Sequence, residues 1–376
     1  MVDRKATKPR IALCHDWLVA RRGGELVLEA IADAANSLSD LDIVYAMFDN
    51  GASIGKHTDK LLRQSSALNS VPDSLRRWLL PLYPLAVWDL SRKLRARHKE
   101  RPYDLVISTH SSAIKAIKPP KGVPHVCYCH TPARYIWNQP HDYASGLMGL
   151  GLSLIRPFYK LWDRRTAKRV ERFLANSTHT QTQIRRSYKR PSDVCFPPVR
   201  TDFFTPNEQS IRRDHWLAVG ALVPYKRFDL AIEAANKRKH PLVIIGSGPE
   251  EQRLRAMAGP TVSFQSAETD VQLREAYRTA RLLIFPQLED FGIVAVEAQA
   301  CGTPVVALAK GGALDTVIDN KTGTHFAHQT TDALLEAIDR CPKHNALACR
   351  EHAERFSESV FRDQIASVIR EFIRRA

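Results

Sequence analysis

The sequence predicts an α/β protein of two doubly wound, Rossmann-like domains. Three observations carry that expectation. Near-continuous apolar runs alternate with helical patterns, the signature of parallel strands covered on both faces. The alternation occurs as two successive series. And 376 residues are too many for one ordinary core.

In the first series the strands are expected at 10–14 (RIALC), 42–47 (DIVYAM), 103–109 (YDLVIST), 124–129 (PHVCYC), 172–177 (RFLANS) and 193–197 (DVCFP). In the second they are expected at 215–220 (HWLAVG), 241–246 (PLVIIG), 261–265 (TVSFQ), 281–286 (RLLIFP) and 303–308 (TPVVAL). Helical patterns fill the gaps, as at 227–238 and 269–279. The polar, irregular stretch 198–213 reads as the linker, which divides the chain into 1–198 and 199–360. The helical stretch 346–374 closes the chain, and its last part, 361–376, is expected to pack back onto the first domain. Ligands of such folds bind outside the carboxyl ends of the strands, so a cleft between the domains is the expected site.

Composition narrows the function. No apolar run is long enough to span a bilayer, and the charged N-terminus lacks the apolar core of a signal peptide. Seven scattered cysteines fit a reducing compartment, so a cytoplasmic location is expected. The net charge of +15 is localised: residues 1–200 hold 33 Lys+Arg against 17 Asp+Glu, and the rest hold 22 against 23. A basic half suits an anionic partner such as acidic lipid, nucleic acid or a phosphorylated substrate; a merely solubilising surface is the plain alternative.

The stretch 287–307, QLEDFGIVAVEAQACGTPVVA, is the most informative. A strand ends at Pro286, and a helix is expected from Phe291 to Cys301, closed by Gly302 and Pro304. Glu289 then sits at the carboxyl end of the strand. The amides of Phe291, Gly292, Ile293 and Val294 are the free donors of the first turn, an anion site by geometry. Glu297 lies inside an apolar helix, where an unpaired carboxylate costs several kcal/mol. Two ribose hydroxyls would satisfy it, Glu289 would accept sugar hydroxyls, and phosphate would lie between them. The plain alternative has Glu289 capping the helix and Glu297 bonded to a backbone amide.

EDFGIVAVEAQACGTPVVA resembles the E-x7-E signature of the retaining GT-B glycosyltransferases of family four, and the order of elements matches over essentially the whole chain. IALCHDWLVARRGGELVLEAI and VGALVPYKRFDLAIEA resemble a bacterial subgroup that includes O-antigen mannosyltransferases. The resemblance implies two Rossmann-like domains facing a cleft and no cofactor beyond a sugar-nucleotide co-substrate, GDP-mannose on the subgroup. It implies a lipid-diphosphate-linked saccharide as acceptor, at the inner face of the cell membrane. Lys226 matches the family's phosphate lysine. An arginine usually stands five residues earlier, where this chain has Ala221; Arg227 is the nearest replacement.

Other candidates follow the same logic. RRGGE (21–25) opens a helix after the first strand, and the resemblance brings Gly23 and Gly24 near the diphosphate. Arg21 and Arg22 would face an anionic acceptor. His130 matches the family histidine that contacts the donor sugar; a satisfied structural histidine is the alternative. Asp16 and His110, at strand ends, are further acceptor-side candidates. GSGPEEQ (246–252) lacks the third glycine of a dinucleotide fingerprint; the resemblance places Gly248 near the nucleotide and Phe264 near the base. Cys127, Cys129 and His130 hint at metal, but alternate strand residues share one face, which suits core. DLD (40–42) has a metal-binding form at the wrong end of a strand, so no metal is expected. LRRWLLPLYPLAVWDLSRKLRAR (75–97) carries Trp78, Tyr83 and Trp88 between bases, which suits either a membrane interface or core. ASGLMGLGLSLI (144–155) reads as a mobile acceptor-side loop.

The resulting expectation is sugar transfer. His130, Lys226 and Glu289 would act at the reacting sugar, and Glu297, Ile293 and their neighbours would bind the donor. The alternatives are a UDP-sugar donor or, in another class, a non-catalytic protein whose basic half grips nucleic acid. No recognisable nucleic-acid motif supports the latter.

Overall fold

In the computed structural model, residues 8–137, 146–207, 209, 213–342 and 345–375 are described. The chain divides into two compact units, Met1–Pro198 with Phe361–Ala376, and Val199–Val360.

The first unit runs β1 (Arg10–Leu18), α1 (Gly23–Asn36), β2 (Asp40–Asp49), β3 (Leu62–Ser65), α2 (Tyr83–Glu100), β4 (Leu105–His110), β5 (His125–Cys129), α3 (Gly146–Ala167), β6 (Arg172–Ala175), α4 (Thr178–Tyr188) and β7 (Asp193–Val194). Its seven strands lie in the order β3-β2-β1-β4-β5-β6-β7, all parallel. The second unit runs β8 (Trp216–Val219), α5 (Phe228–Arg238), β9 (Leu242–Ile245), α6 (Glu251–Met257), β10 (Val262–Gln265), α7 (Asp270–Thr279), β11 (Leu282–Phe285), α8 (Ile293–Ala300), β12 (Val305–Leu308), α9 (Ala313–Thr316), β13 (Gly323–Phe326), α10 (Thr331–Arg340) and α11 (Ala346–Glu354). Its parallel sheet has the order β10-β9-β8-β11-β12-β13.

The strand order of each sheet therefore reverses once, between β1 and β4 and between β8 and β11. These are the crevices where doubly wound folds bind ligands. Central strands such as β4, β8, β11 and β12 are buried on both faces, which is why they read as unbroken apolar runs.

The last helix, α12 (Glu358–Arg375), places Phe361, Ile365, Ile369 and Phe372 in the core formed by Val27, Leu28, Ile31, Tyr128 and Leu174. Arg172 pairs with Glu371 at 2.6 Å. Residues 355–357 break the expected 346–374 helix into α11 and α12.

Several other expectations are corrected. β3 and β13 were not expected, and β7 is only two residues long. The stretch read as a linker is partly core: Phe204 is fully buried against Tyr277, and positions 208 and 210–212 lie outside the described residues. Residues 144 and 145 also lie outside them, but from Gly146 the stretch read as a loop is helix α3. Tyr83 is core, whereas Trp88 is exposed; the Trp78 side chain lies outside the described residues.

Candidate functional site

In the second unit the switch point brings together two loops. After β8 the chain passes Gly220, makes a tight turn at Pro224–Lys226 and enters α5 through Arg227. After β11 it passes Glu289 and enters α8 through Gly292. Lys226 Nζ meets Glu289 Oε1 at 3.1 Å, with both side chains mostly buried. An added Cβ on Gly220 would lie 3.0 Å from Lys226 Nζ, so the lysine lies across a residue that has no side chain.

The α8 entry is held from two sides. Gly292 has φ +100°, and a Cβ there would lie 2.9 Å from the Phe285 ring. Behind it, Gly312 N–H donates to the Glu289 carbonyl at 2.8 Å. A Cβ on Gly312 would lie 2.3 Å from the Phe291 Cα, and one on Gly311 2.4 Å from the Glu289 carbonyl oxygen. The glycine pair after β12 thus fixes the backbone of 289–291. The Phe291 ring packs on Phe356, so only its backbone can face a ligand. Ile293 begins α8 and is half-buried.

Glu297, on the next turns of α8, accepts the Tyr277 hydroxyl on Oε2 at 3.0 Å. Its partner is thus a side-chain hydroxyl rather than the backbone amide of the plain alternative. The residue keeps some accessible surface. Its carboxylate nevertheless lies deep enough that burial pushes it up to about 7, against the Tyr277 hydrogen bond and the Arg200 charge. Burial and the Glu297 charge in turn raise the Tyr277 phenol well above its usual range.

Three nearby candidates have partners of their own within the unit. Arg227 adopts φ +55° and directs Nε to Asp229 at 3.1 Å, so its charge is already partly engaged. Gly248 has φ +158°, and its Cβ would collide with Leu222 O at 2.4 Å. Loop packing alone therefore requires a glycine at this position. Phe264 packs against the core of its unit and under the Arg255 guanidinium, 4.5 Å from the ring centroid.

In the first unit the corresponding crevice holds histidines. Gly23 and Gly24 begin α1, and a Cβ on Gly24 would lie 3.7 Å from His130 Nε2 and 3.9 Å from His15 Cε1. His15 is buried and hydrogen-bonded to Thr109 Oγ1. Burial, and then the neighbouring His130, push its imidazole down to about 3, so it is neutral. Arg21 and Arg22 are exposed just before α1.

Asp16 and His110 are corrected. Asp16 is fully buried, and its two oxygens accept the amides of Ser111, Ser112, Ala113 and Ile114 at 2.7, 2.8, 2.9 and 2.8 Å. It anchors the turn after β4 and has no surface for an acceptor. His110 is equally buried, 3.1 Å from the Tyr188 hydroxyl, and burial holds it well below its usual range. Cys127 and Cys129 are core beside Phe173. Asp42 pairs with Arg10 and Arg97, at 2.6 and 3.0 Å, and Asp40 with Arg101.

Sequence reasoning missed Tyr277, Arg200, His15, Gly220 and Gly311–Gly312. The last had a usable signal, Gly-Gly at the carboxyl end of a strand, the same signal that drew attention to Gly23–Gly24.

Residues 40–203 match the family profile described as Glycosyltransferase Family 4, and residues 204–362 that described as Glycosyl transferases group 1. The chain is 35% identical over 200 residues to a D-inositol 3-phosphate glycosyltransferase of Mycobacteroides abscessus, covering 46% of this chain and 45% of that one. It is 32% identical over 229 residues to the protein of that name from Mycolicibacterium smegmatis, covering 54% and 53%. The chain thus spans about half the length of the curated relatives it matches. Among solved structures, sucrose-phosphate synthase from Thermosynechococcus elongatus superposes with a TM-score of 0.76 at 18% identity, over 98% of this chain and 100% of that one. Anabaena HepE in complex with UDP superposes at 0.73 and 18%, over 96% and 100%. WaaG, a glycosyltransferase involved in lipopolysaccharide biosynthesis, does so at 0.67 and 18%, over 96% and 99%. At such identities the likeness is one of fold.

Proposed function

The chain belongs to the family-four glycosyltransferases of the GT-B fold, and on that footing we propose that it transfers mannose from GDP-mannose to a lipid-diphosphate-linked saccharide. The donor sugar and acceptor rest on the subgroup resemblance of IALCHDWLVARRGGELVLEAI and VGALVPYKRFDLAIEA. The observation that carries the donor site is the Lys226–Glu289 pair at the β8/β11 switch point, beside the α8 entry. A nucleotide diphosphate would draw Lys226 off Glu289 and take the amides at the start of α8, where negative charge is favoured. Lys226 then stabilises the charge that grows on the leaving diphosphate. Glu289, released, accepts sugar hydroxyls. Glu297, presented by Tyr277, accepts the ribose hydroxyls. Arg227, Gly248 and Phe264 line the nucleotide more loosely.

His130, beside Gly24, is assigned to the sugar on the family resemblance, and Gly23 and Gly24 to the diphosphate. Exposed Arg21 and Arg22 offer charge to a phosphorylated acceptor. The curated relatives are named for D-inositol 3-phosphate, which is likewise an anion. The enzyme works beside an anionic membrane on the cytoplasmic side.

Transfer proceeds without a divalent metal and with retention. Lys226 and the helix amides supply the positive field, while Asp40 and Asp42 spend their carboxylates on arginines. Front-face attack, with the acceptor hydroxyl assisted by the leaving phosphate, fits a site whose nearest carboxylate is engaged in hydroxyl contacts.

A thermal-shift panel of sugar nucleotides tests the donor. GDP-mannose should raise the melting temperature most, because ligand binding to the native state stabilises it. A larger shift with UDP-sugars would replace the donor assignment. No shift with any sugar nucleotide, together with salt-sensitive binding of DNA or RNA, would overturn the transferase reading.

A further inference from the structure

Two helices of the first unit carry exposed apolar stripes. On α3, Leu154, Phe158 and Leu161 recur at helical spacing and are 69%, 77% and 48% exposed. The helix cannot turn them inward. Its opposite face places Ile155, Tyr159 and Trp162 against Ala133 and Ile136. There Asp163 is locked, fully buried, to Lys115 at 2.6 Å and to Trp137 Nε1 at 2.7 Å. On α2, Leu85 and Trp88 are 59% and 61% exposed, while Tyr83, Ala86, Val87 and Leu90 face the core. Leu80 packs into the clusters beneath both helices, which joins their inner faces. Single exposed apolar residues are ordinary; a pair of stripes is not.

Around the α3 stripe the charge has one sign. Residues 146–169 contain six bases and a single acid, and that acid is the buried Asp163. Arg164, Arg165 and Lys168 extend the α3 stripe as exposed bases. Lys160 is lowered from its usual range by burial and by the charges of Arg156 and Arg164. On α2, Arg92 stands over the Trp88 ring at 5.9 Å. Apolar side chains ringed by bases, without an exposed acid on α3, complement a surface of lipid phosphates.

We propose that the outer stripe of α3, with Leu85 and Trp88 of α2, is a docking surface for an anionic bilayer. Phe158 and Leu154 enter the headgroup boundary, and Arg165 and Lys168 meet phosphates. The inference deepens the proposed membrane location and rests on it only for its purpose. Vesicle binding needs neither donor nor transfer, so the two readings fail separately.

The test is co-sedimentation of the full chain with phosphatidylcholine vesicles, with and without phosphatidylglycerol. The protein should pellet with the anionic vesicles and release as salt rises. Leu154→Ser with Phe158→Ser should weaken that binding by about tenfold or more. Arg165→Glu with Lys168→Glu, which alters only exposed positions, should abolish the preference for phosphatidylglycerol at an unchanged melting temperature. Equal recovery with neutral and anionic vesicles, or undiminished binding by both variants, would overturn the proposal. So would a lipid-free self-association that the apolar variant abolishes, because the stripe would then be an interface between copies of this chain.

Discussion

Glu297 is held between two demands. Its carboxyl is raised to about 7 from the ordinary 4.5, while the ribose contact proposed for it requires an acceptor. Donor affinity should therefore rise as pH passes upward through about 7, and Glu297→Gln should flatten that dependence. A binding profile that is flat in the wild type would contradict the ribose role. The same shift has a consequence for stability. Folded protein keeps the proton to higher pH than unfolded chain, so this group's contribution falls as pH rises from about 4.5 through about 7. Glu297→Gln should melt higher than wild type above that range and lose the advantage below it. This environment was not legible in the sequence, because Tyr277 lies on a different helix. Likewise Asp16 looked like a ligand-facing strand-end carboxylate. Its partners are turn amides 95 to 98 residues away, a distance that no local pattern reports.

The elements themselves were more legible. Strands buried on both faces announce themselves as apolar runs, as LLIF of β11 and VVAL of β12 do. β3, reading LRQS, has an exposed or half-buried side chain at every position, and β13 begins with glycine, so neither has such a run. The E-x7-E spacing was legible because one loop and one helix carry it. What fixes it in place was not: Gly311–Gly312 arrive from the β12 loop. Gly312→Ala must displace Phe291, and should cost roughly 2–4 kcal/mol by urea denaturation and weaken donor binding. Gly292→Ala adds left-handed strain to a contact with Phe285, for roughly 1–3 kcal/mol. Gly51 has φ +80° with nothing within 4 Å of its Cβ. Gly51→Ala should therefore show the cost of backbone strain alone and leave donor binding unchanged.

At the scale of the molecule, two parallel sheets with one reversal each explain why the reactive candidates gather where they do. Lys226 and Glu289 come from the loops after the two strands that flank one reversal, His15 and Thr109 from the strands that flank the other. The proposed chemistry predicts activity that survives EDTA, and an α-linked product from an α-linked donor by NMR. Activity lost in EDTA and restored by Mg²⁺ or Mn²⁺ would contradict the metal-free mechanism; a β-linked product would contradict retention. The central claim is that the second unit holds a sugar nucleotide between Glu289 and Glu297. Calorimetric titration of GDP and GDP-mannose into wild type, Glu289→Ala and Glu297→Gln tests it most directly. Glu297→Gln should weaken both ligands alike. Glu289→Ala should leave GDP binding unchanged or tighter, since Lys226 loses its partner, while weakening GDP-mannose. Both variants binding both ligands as wild type does would contradict the account.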